Sequence, residues 1–340
     1  MGEIRYSVEP YARWREVVAR LRNATRPTVR DSAYFMWRYE GRPCAEPAHA
    51  AIAWEGDRPI GAIGVIPHDF FVLDRVAPVG VLGDVSVMAG HRGRRIADGM
   101  IAALRAAECT RRWRGLLCLP NGAAEGSLRR EGFVPASGLG RRVRLLPARG
   151  AGGLRDAVTR LAARAIAPAF RDFRPRSAGL EFSPGRGFDA RYDELWERLP
   201  KVGRIVSVRT AAYLRWRFEH HPLQRFETFE LSSGAGLRGY FTLHTEGGSA
   251  FVDDFCALDA RGADVLLRQV LRELRRRGGS GRVVLQTSEG FWPAMAWSRY
   301  GFFAREDRQL AVWAPPAGAA AGDPAGSAAA WHLTIADKDV

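Results

Sequence analysis

The chain's densest chemistry lies between residues 85 and 100, Val-Ser-Val-Met-Ala-Gly-His-Arg-Gly-Arg-Arg-Ile-Ala-Asp-Gly-Met. An apolar run that reads as a strand ends at Met88. A loop with Gly90 and Gly93 follows, and an amphipathic helix opens at Ile96. Free backbone N–H groups at a helix N-terminus, with the guanidiniums of Arg92, Arg94 and Arg95 beside them, make a seat for a pyrophosphate. The loop is not a P-loop, since no Gly-Lys-Ser or Gly-Lys-Thr follows, and it lacks Gly-x-Gly-x-x-Gly spacing. An exposed basic turn that binds nothing would carry the same residues. The four cysteines, Cys44, Cys109, Cys118 and Cys256, include no Cys-x-x-Cys pair, and the seven histidines form no His-Glu-x-x-His cluster. Neither a zinc site nor a disulfide framework is expected, and no metal.

The elements that would position this loop occur twice. Tyr34-Phe35-Met36-Trp37-Arg38-Tyr39-Glu40 returns as Tyr213-Leu214-Arg215-Trp216-Arg217-Phe218-Glu219, and each copy runs into a proline, Pro43 or Pro222. Gly56 to Gly61 is matched by Gly234 to Gly239, Asp84-Val85-Ser86 by Asp254-Phe255-Cys256, and Arg130-Glu131-Gly132-Phe133 by Arg299-Tyr300-Gly301-Phe302. The preserved order predicts a duplicated domain. In each copy a helix opens the unit, a short Trp-Arg helix follows, alternating apolar runs give strands, and a strand leads through a loop into a long helix. That alternation implies α/β architecture with a parallel central pair. The repeated Trp-Arg-aromatic-Glu unit reads as a packing device in which Arg38 and Arg217 bridge to carboxylates.

The spacing predicts a first domain at 1–146, a basic linker at 147–180, a second domain at 181–314 and an Ala/Gly/Pro-rich tail at 315–340. Residues 154–173 are basic and amphipathic, which fits a packed linker helix better than a membrane-surface helix because the apolar face is mostly Ala. Residues 314–330 are expected to be flexible and without catalytic groups. The 340-residue chain is 46% hydrophobic and 26% charged, an ordinary globular composition. No apolar run is long enough to span a bilayer and the N-terminus lacks a secretory layout, so the expectation is a cytoplasmic, soluble protein. Net charge is +14, with 51 basic residues of which only Lys201 and Lys338 are lysines. Such a balance suits nucleic acid, an anionic surface or a polyphosphate ligand, and equally reflects a GC-rich codon bias.

The loop resembles the acyl-CoA loop of the GCN5-related N-acetyltransferase (GNAT) family, Arg/Gln-x-x-Gly-x-Gly/Ala between a strand and a helix. Arg92 opens the pattern and Ala97 closes it, but Arg95 stands where the first glycine belongs. Leu119-Pro120-Asn121, followed by Ala124, Leu128 and Gly132-Phe133, is similar to the family's next motif. The resemblance implies two tandem GNAT-like domains, each a mixed central sheet flanked by helices. It implies acetyl-CoA, or another acyl-CoA, as co-substrate, with the pantetheine arm along Ser86, Val87 and Met88 and near Asn121. Arg92, Gly93, Arg94, Arg95, Ile96 and Ala97 would hold the pyrophosphate. The second copy's loop, Asp259-Ala260-Arg261-Gly262-Ala263-Asp264, has two acids and one arginine, which would repel a pyrophosphate.

The family's usual general acid, a Tyr in the last helix, is absent here, since Leu128 stands at that position. For the base, Asp84 and Asp253 are the candidates. Asp84 recurs as Asp254, so a structural bond to a neighbouring strand suits it as well as catalysis. Asp253 has Gly83 as its counterpart and would be the second domain's contribution to a shared cleft. The expected activity is acyl transfer to a small-molecule primary amine, with an amino sugar of polysaccharide biosynthesis as the first guess. An aminoacyl-tRNA-dependent transferase of the Fem-like kind and a non-catalytic GNAT-fold scaffold are the alternatives; salt-sensitive RNA binding would mark the former.

Overall fold

The computed structural model describes residues 2–146, 161, 179–279, 281–315 and 327–337. The basic stretch 154–173 lies outside these residues except for Leu161, as does most of the Ala/Gly/Pro-rich tail. The first half runs β1 (Ile4–Pro10), α1 (Tyr11–Thr25), α2 (Ser32–Tyr39), β2 (His49–Glu55), β3 (Arg58–Val72) and β4 (Arg75–Val87). It continues with α3 (Ile96–Ala106), α4 (Glu108–Arg111), β5 (Leu116–Cys118), α5 (Gly122–Arg130) and β6 (Val134–Leu145). The second half repeats the plan with β7 (Glu181–Pro184), α6 (Ala190–Arg198), β8 (Ile205–Ser207), α7 (Ala211–Leu214), β9 (Glu227–Ser233), β10 (Gly236–Glu246) and β11 (Ser249–Ala257). Then come α8 (Ala260–Arg277), β12 (Arg282–Thr287), β13 (Phe303–Ala314) and the short β14 (Trp331–His332).

Local chemistry sets these boundaries. Asp31 caps α2 by accepting from the Tyr34 N–H at 3.0 Å, Asn121 caps α5 through Ala124, and Asp259 caps α8 through Gly262. Gly278, left-handed at φ 70°, ends α8. Both copies of the Trp-Arg unit close on the same wide turn: the Gly41 N–H bonds to the Met36 carbonyl, and the His220 N–H to the Arg215 carbonyl.

All the long strands join one mixed sheet in the order β1-β2-β3-β4-β5-β13-β6-β12-β11-β10-β9-β7. The strands that follow the two Gly-Phe pairs are exchanged. β13, from the second half, lies antiparallel between β5 and β6, while β6, from the first half, lies between β13 and β12. The two halves are thus related by a pseudo-twofold axis between β6 and β13. The repeated tryptophans meet under it: Trp37 Nε1 donates to the Trp216 carbonyl at 2.7 Å, and Trp216 Nε1 returns the bond to the Trp37 carbonyl at 2.8 Å. Their rings stack with centroids 5.1 Å apart.

Three of the apolar clusters follow from this plan. One packs α3 against the first half of the sheet through Ile96, Met100, Ile101 and Leu104; one packs α8 against the second half; the third, between the halves, gathers aromatic residues from both. The third cluster also takes Trp331, Leu333 and Ala336, so the last described residues are core, whereas composition alone suggests only a loose tail. Among the described residues no helix is long and apolar enough to cross a membrane.

Candidate active site

β4 pairs in parallel with β5 only at Gly80–Leu116, Val81–Leu117 and Leu82–Cys118, yet it runs on to Val87. β5 stops because Pro120 cannot donate to a ladder and Asn121 turns the chain into α5. Residues 83–87 therefore lack a strand on that side, and the gap opens into a cleft of about 1480 Å³. Its walls bring together Asp84, Ser86, Val87, Arg92, Gly93, Arg95, Ile96, Ala97 and Asn121 from the first half with Asp253 from the second. Met88 and Arg94 are not among the lining residues. Met88 packs against the central core, and Arg94 turns away to pair with Glu55 at 3.1 Å and to contact His91 Nδ1 at 2.9 Å.

The floor of the cleft is the N-terminus of α3. No side chain caps this helix, so its first N–H groups are left for a ligand. Arg95 precedes it at φ 55°, ψ 29°, the left-handed conformation for which glycine is the default. The Arg95 side chain is exposed, as is that of Arg92, whose Nε reaches the Val87 carbonyl at 3.4 Å. Asp98, in the first turn of α3, is neutralised by Arg130 at 2.6 Å, and that bond holds its carboxyl below the usual carboxylate range. Arg95 and Asn121 thus present donors between the helix and the open strand edge, while the Ser86 hydroxyl donates to the Asp84 carbonyl at 2.9 Å. The donor set fits an extended thioester arm ending in a diphosphate.

Asp84 sits in a β-bulge of β4 at φ 51°. Tyr39 donates its hydroxyl to Oδ2 at 2.8 Å, Arg38 Nε stands 3.1 Å from the same oxygen, and Arg22 Nε is 3.6 Å from Oδ1. Gly83 makes room for this: a Cβ there would lie 2.3 Å from Arg38 Nη2. Both carboxylate oxygens face a donor belonging to the fold, and the strained turn is held by them. Asp254 repeats the device with other partners. Arg209 Nε at 2.9 Å and the Tyr240 hydroxyl at 2.6 Å bind its Oδ2. Its burial opposes ionisation, but these partners keep its carboxyl below the ordinary range.

Asp253 is arranged differently. It is the extra residue of a bulge opposite Thr242 and Leu243, it is 2% exposed, and its Oδ2 lies 2.7 Å from His244 Nδ1. Burial pushes its carboxyl up, and the His244 bond offsets this only in part. His244 lies flat on Phe251, with centroids 5.0 Å apart, and lines the cleft. A carboxylate on Nδ1 fixes the imidazole tautomer that carries its lone pair on Nε2.

Leu128 is buried, so the last helix supplies no acid from that position. Several lining residues escape a sequence reading: His244, Gln309, Ile335, and Arg26 and Arg30 on the α1–α2 connection. Gln309 comes from β13 and donates to the Leu119 carbonyl at 3.0 Å, a contact that exists only because the strands are exchanged.

The equivalent gap in the second half is filled by the chain itself. β11 pairs with β12 only as far as Val252–Leu285, which makes Ser288 the counterpart of Asn121. The Ser288 N–H donates to the Leu333 carbonyl, its hydroxyl to the Trp331 carbonyl, and the Leu333 N–H returns to Ser288 Oγ. Thr334 donates to Asp254 at 3.0 Å and bridges Thr287, while Arg209 joins Asp254 to Asp337.

Residues 11–112 match the family model of the acetyltransferase (GNAT) domain. A search of curated proteins gave no significant sequence match. A conserved protein of unknown function from Enterococcus faecalis, described as a probable N-acyltransferase, superposes with a TM-score of 0.68 at 10% identity, over 92% of this chain and 73% of that one. A GCN5-related N-acetyltransferase from Anabaena variabilis gives 0.64 at 12% identity, over 91% and 72% of the two chains. A tandem GNAT protein from the clavulanic acid biosynthesis pathway gives 0.57 at 16% identity, over 94% of this chain and 100% of that one. At such identities the likeness is one of fold. Residues 11–112 are thus similar to a GNAT acetyltransferase domain, and the fold of the chain is shared with GNAT N-acyltransferases, a tandem member among them.

Proposed function

We propose that the chain transfers an acyl group, acetyl in the first instance, from acyl-CoA to a small primary amine at one site, the first-half cleft. The observation that carries this reading is the unpaired edge at residues 83–87, leading to the uncapped N-terminus of α3. An extended thioester arm would pair with that edge, and Arg92, Arg95 and the helix N-terminus would hold the diphosphate. Backbone N–H groups on the open edge would polarise the thioester carbonyl. As the amine attacks, the C–N bond forms, the C–S bond breaks and the thiolate departs to be protonated by solvent. His244 Nε2 takes the amine proton, with Asp253 orienting the ring and stabilising the imidazolium. Asp84, whose oxygens face Tyr39, Arg38 and Arg22, anchors the bulge rather than acting as the base.

Two features support a single site. The second copy's loop is acidic, and residues 331–337 occupy its strand gap. For the acceptor, Tyr34, Trp37 and Phe226 give the cleft an aromatic lining, in keeping with an amino sugar. The test is thiol release from acetyl-CoA with a panel of primary amines, products being identified by mass. His244→Gln and Asp253→Asn should each lower kcat by about a hundredfold, the range for a lost general base, with acetyl-CoA affinity unchanged. Undiminished kcat in both variants would remove this base, and no transfer to any amine would remove the reaction.

A further inference from the structure

We infer that the acceptor carries an oxyanion, a carboxylate or a phosphate, besides its amine, and that Arg26 and Arg30 bind it. This rests on the acyl-transfer reading above and adds the acceptor's chemical class.

The guanidiniums of the cleft fall into two groups along β4. Arg92 approaches the Val87 end, next to the α3 N-terminus. The other group comes in at Asp84 and Val85, where Arg26 Nη2 contacts the Val85 carbonyl at 3.3 Å and Arg22 and Arg38 pair with Asp84. Arg30 stands beside them with its guanidinium 5.1 Å from the Tyr34 ring centroid. The acids at this end are already engaged or peripheral. Asp84 serves Arg22 and Arg38, Asp253 serves His244, and Glu246 lines the cleft from an exposed position. Arg26 and Arg30 form no ion pair among the described residues, and the buried Arg30 Nε has no hydrogen-bond partner there.

The imbalance is felt by a neighbour. His221 lies tilted against Trp37, with ring centroids 4.3 Å apart, and accepts at Nδ1 from the Leu223 and Gln224 N–H groups. Burial, then Arg217, Arg30 and Arg38, push its imidazole down to about 3. A cleft with this field disfavours a bare ammonium and favours an amine whose own oxyanion meets the guanidiniums. The same field eases deprotonation of the amine before attack.

The test titrates the full chain, saturated with CoA to prevent turnover, with paired probes. These are glucosamine phosphate against glucosamine, phosphoethanolamine against ethanolamine, and β-alanine against β-alaninamide. The anionic member of a pair should bind about tenfold or more tightly than its neutral partner, and Arg26→Ala or Arg30→Ala should erase the difference while CoA affinity stays unchanged. The phosphate and carboxylate pairs show which oxyanion is preferred. Equal affinities within every pair, no binding of any anionic probe, or weakened CoA binding in the variants would overturn the inference. Failure of CoA itself to bind would instead remove the acyl-transfer reading beneath it.

Discussion

Arg95 and Asp84 are two of three non-glycine residues with positive φ in the described chain, and both line the cleft. A left-handed L-residue costs about 1–2 kcal/mol, so each is held there by its surroundings. At Asp84 the restraint is visible in Tyr39, Arg38 and Arg22, whereas Arg95 is exposed. Arg95→Gly should therefore stabilise the protein by about 1 kcal/mol in urea unfolding, while weakening acetyl-CoA binding through the lost guanidinium. No change in stability would show that this turn is not strained. The departure of Arg95 from the family's glycine pattern was legible in the sequence, because a motif position carries a backbone requirement with it. The pairing of His244 with Asp253 was not. The two residues are far enough apart on a hairpin that only the bulge at Asp253 brings Nδ1 and Oδ2 together.

The strand gap and the exchanged strands are properties of elements, and they differ in how far the sequence announces them. The duplicated Trp-Arg unit and the strand–loop–helix around residues 85–100 are local patterns, and the structure keeps them in the places the spacing suggests. The exchange of β6 and β13 has no local signal, since either strand could close its own half with the same alternation of residues. For the same reason Gln309 could not be assigned to the first-half cleft, nor Ile335. The Trp37–Trp216 contact carries the joint between the halves. Truncating either ring to Ala should cost about 3–5 kcal/mol, and the double variant should lose much less than the sum, because each ring packs on the other and their indole bonds are reciprocal. Urea unfolding of the three variants measures this; strictly additive losses would mean the tryptophans act independently.

Taken whole, the molecule is one sheet whose halves share strands, a central aromatic core and a segment at 331–337 that closes the second gap. Its histidines tie that arrangement to pH. Burial, with nearby arginines, pushes His221 down to about 3 and His332 to about 4, from an ordinary value of 6.5. Both are neutral in the folded chain and take up protons on unfolding below pH 6.5, so stability is full above that value and is lost as the pH falls towards about 4. Urea unfolding at pH about 7 and about 5 should show a lower free energy at the acid value, and an unchanged or higher one would mean these rings are protonated in the fold. We propose, above all, one acyl-CoA site per chain, in the first half. The direct measurement is a calorimetric titration with acetyl-CoA of the wild-type chain and of an Arg92→Ala/Arg95→Ala variant. One site per chain is expected, markedly weakened in the variant; two sites, no binding, or binding untouched by the double substitution would refute a single first-half site.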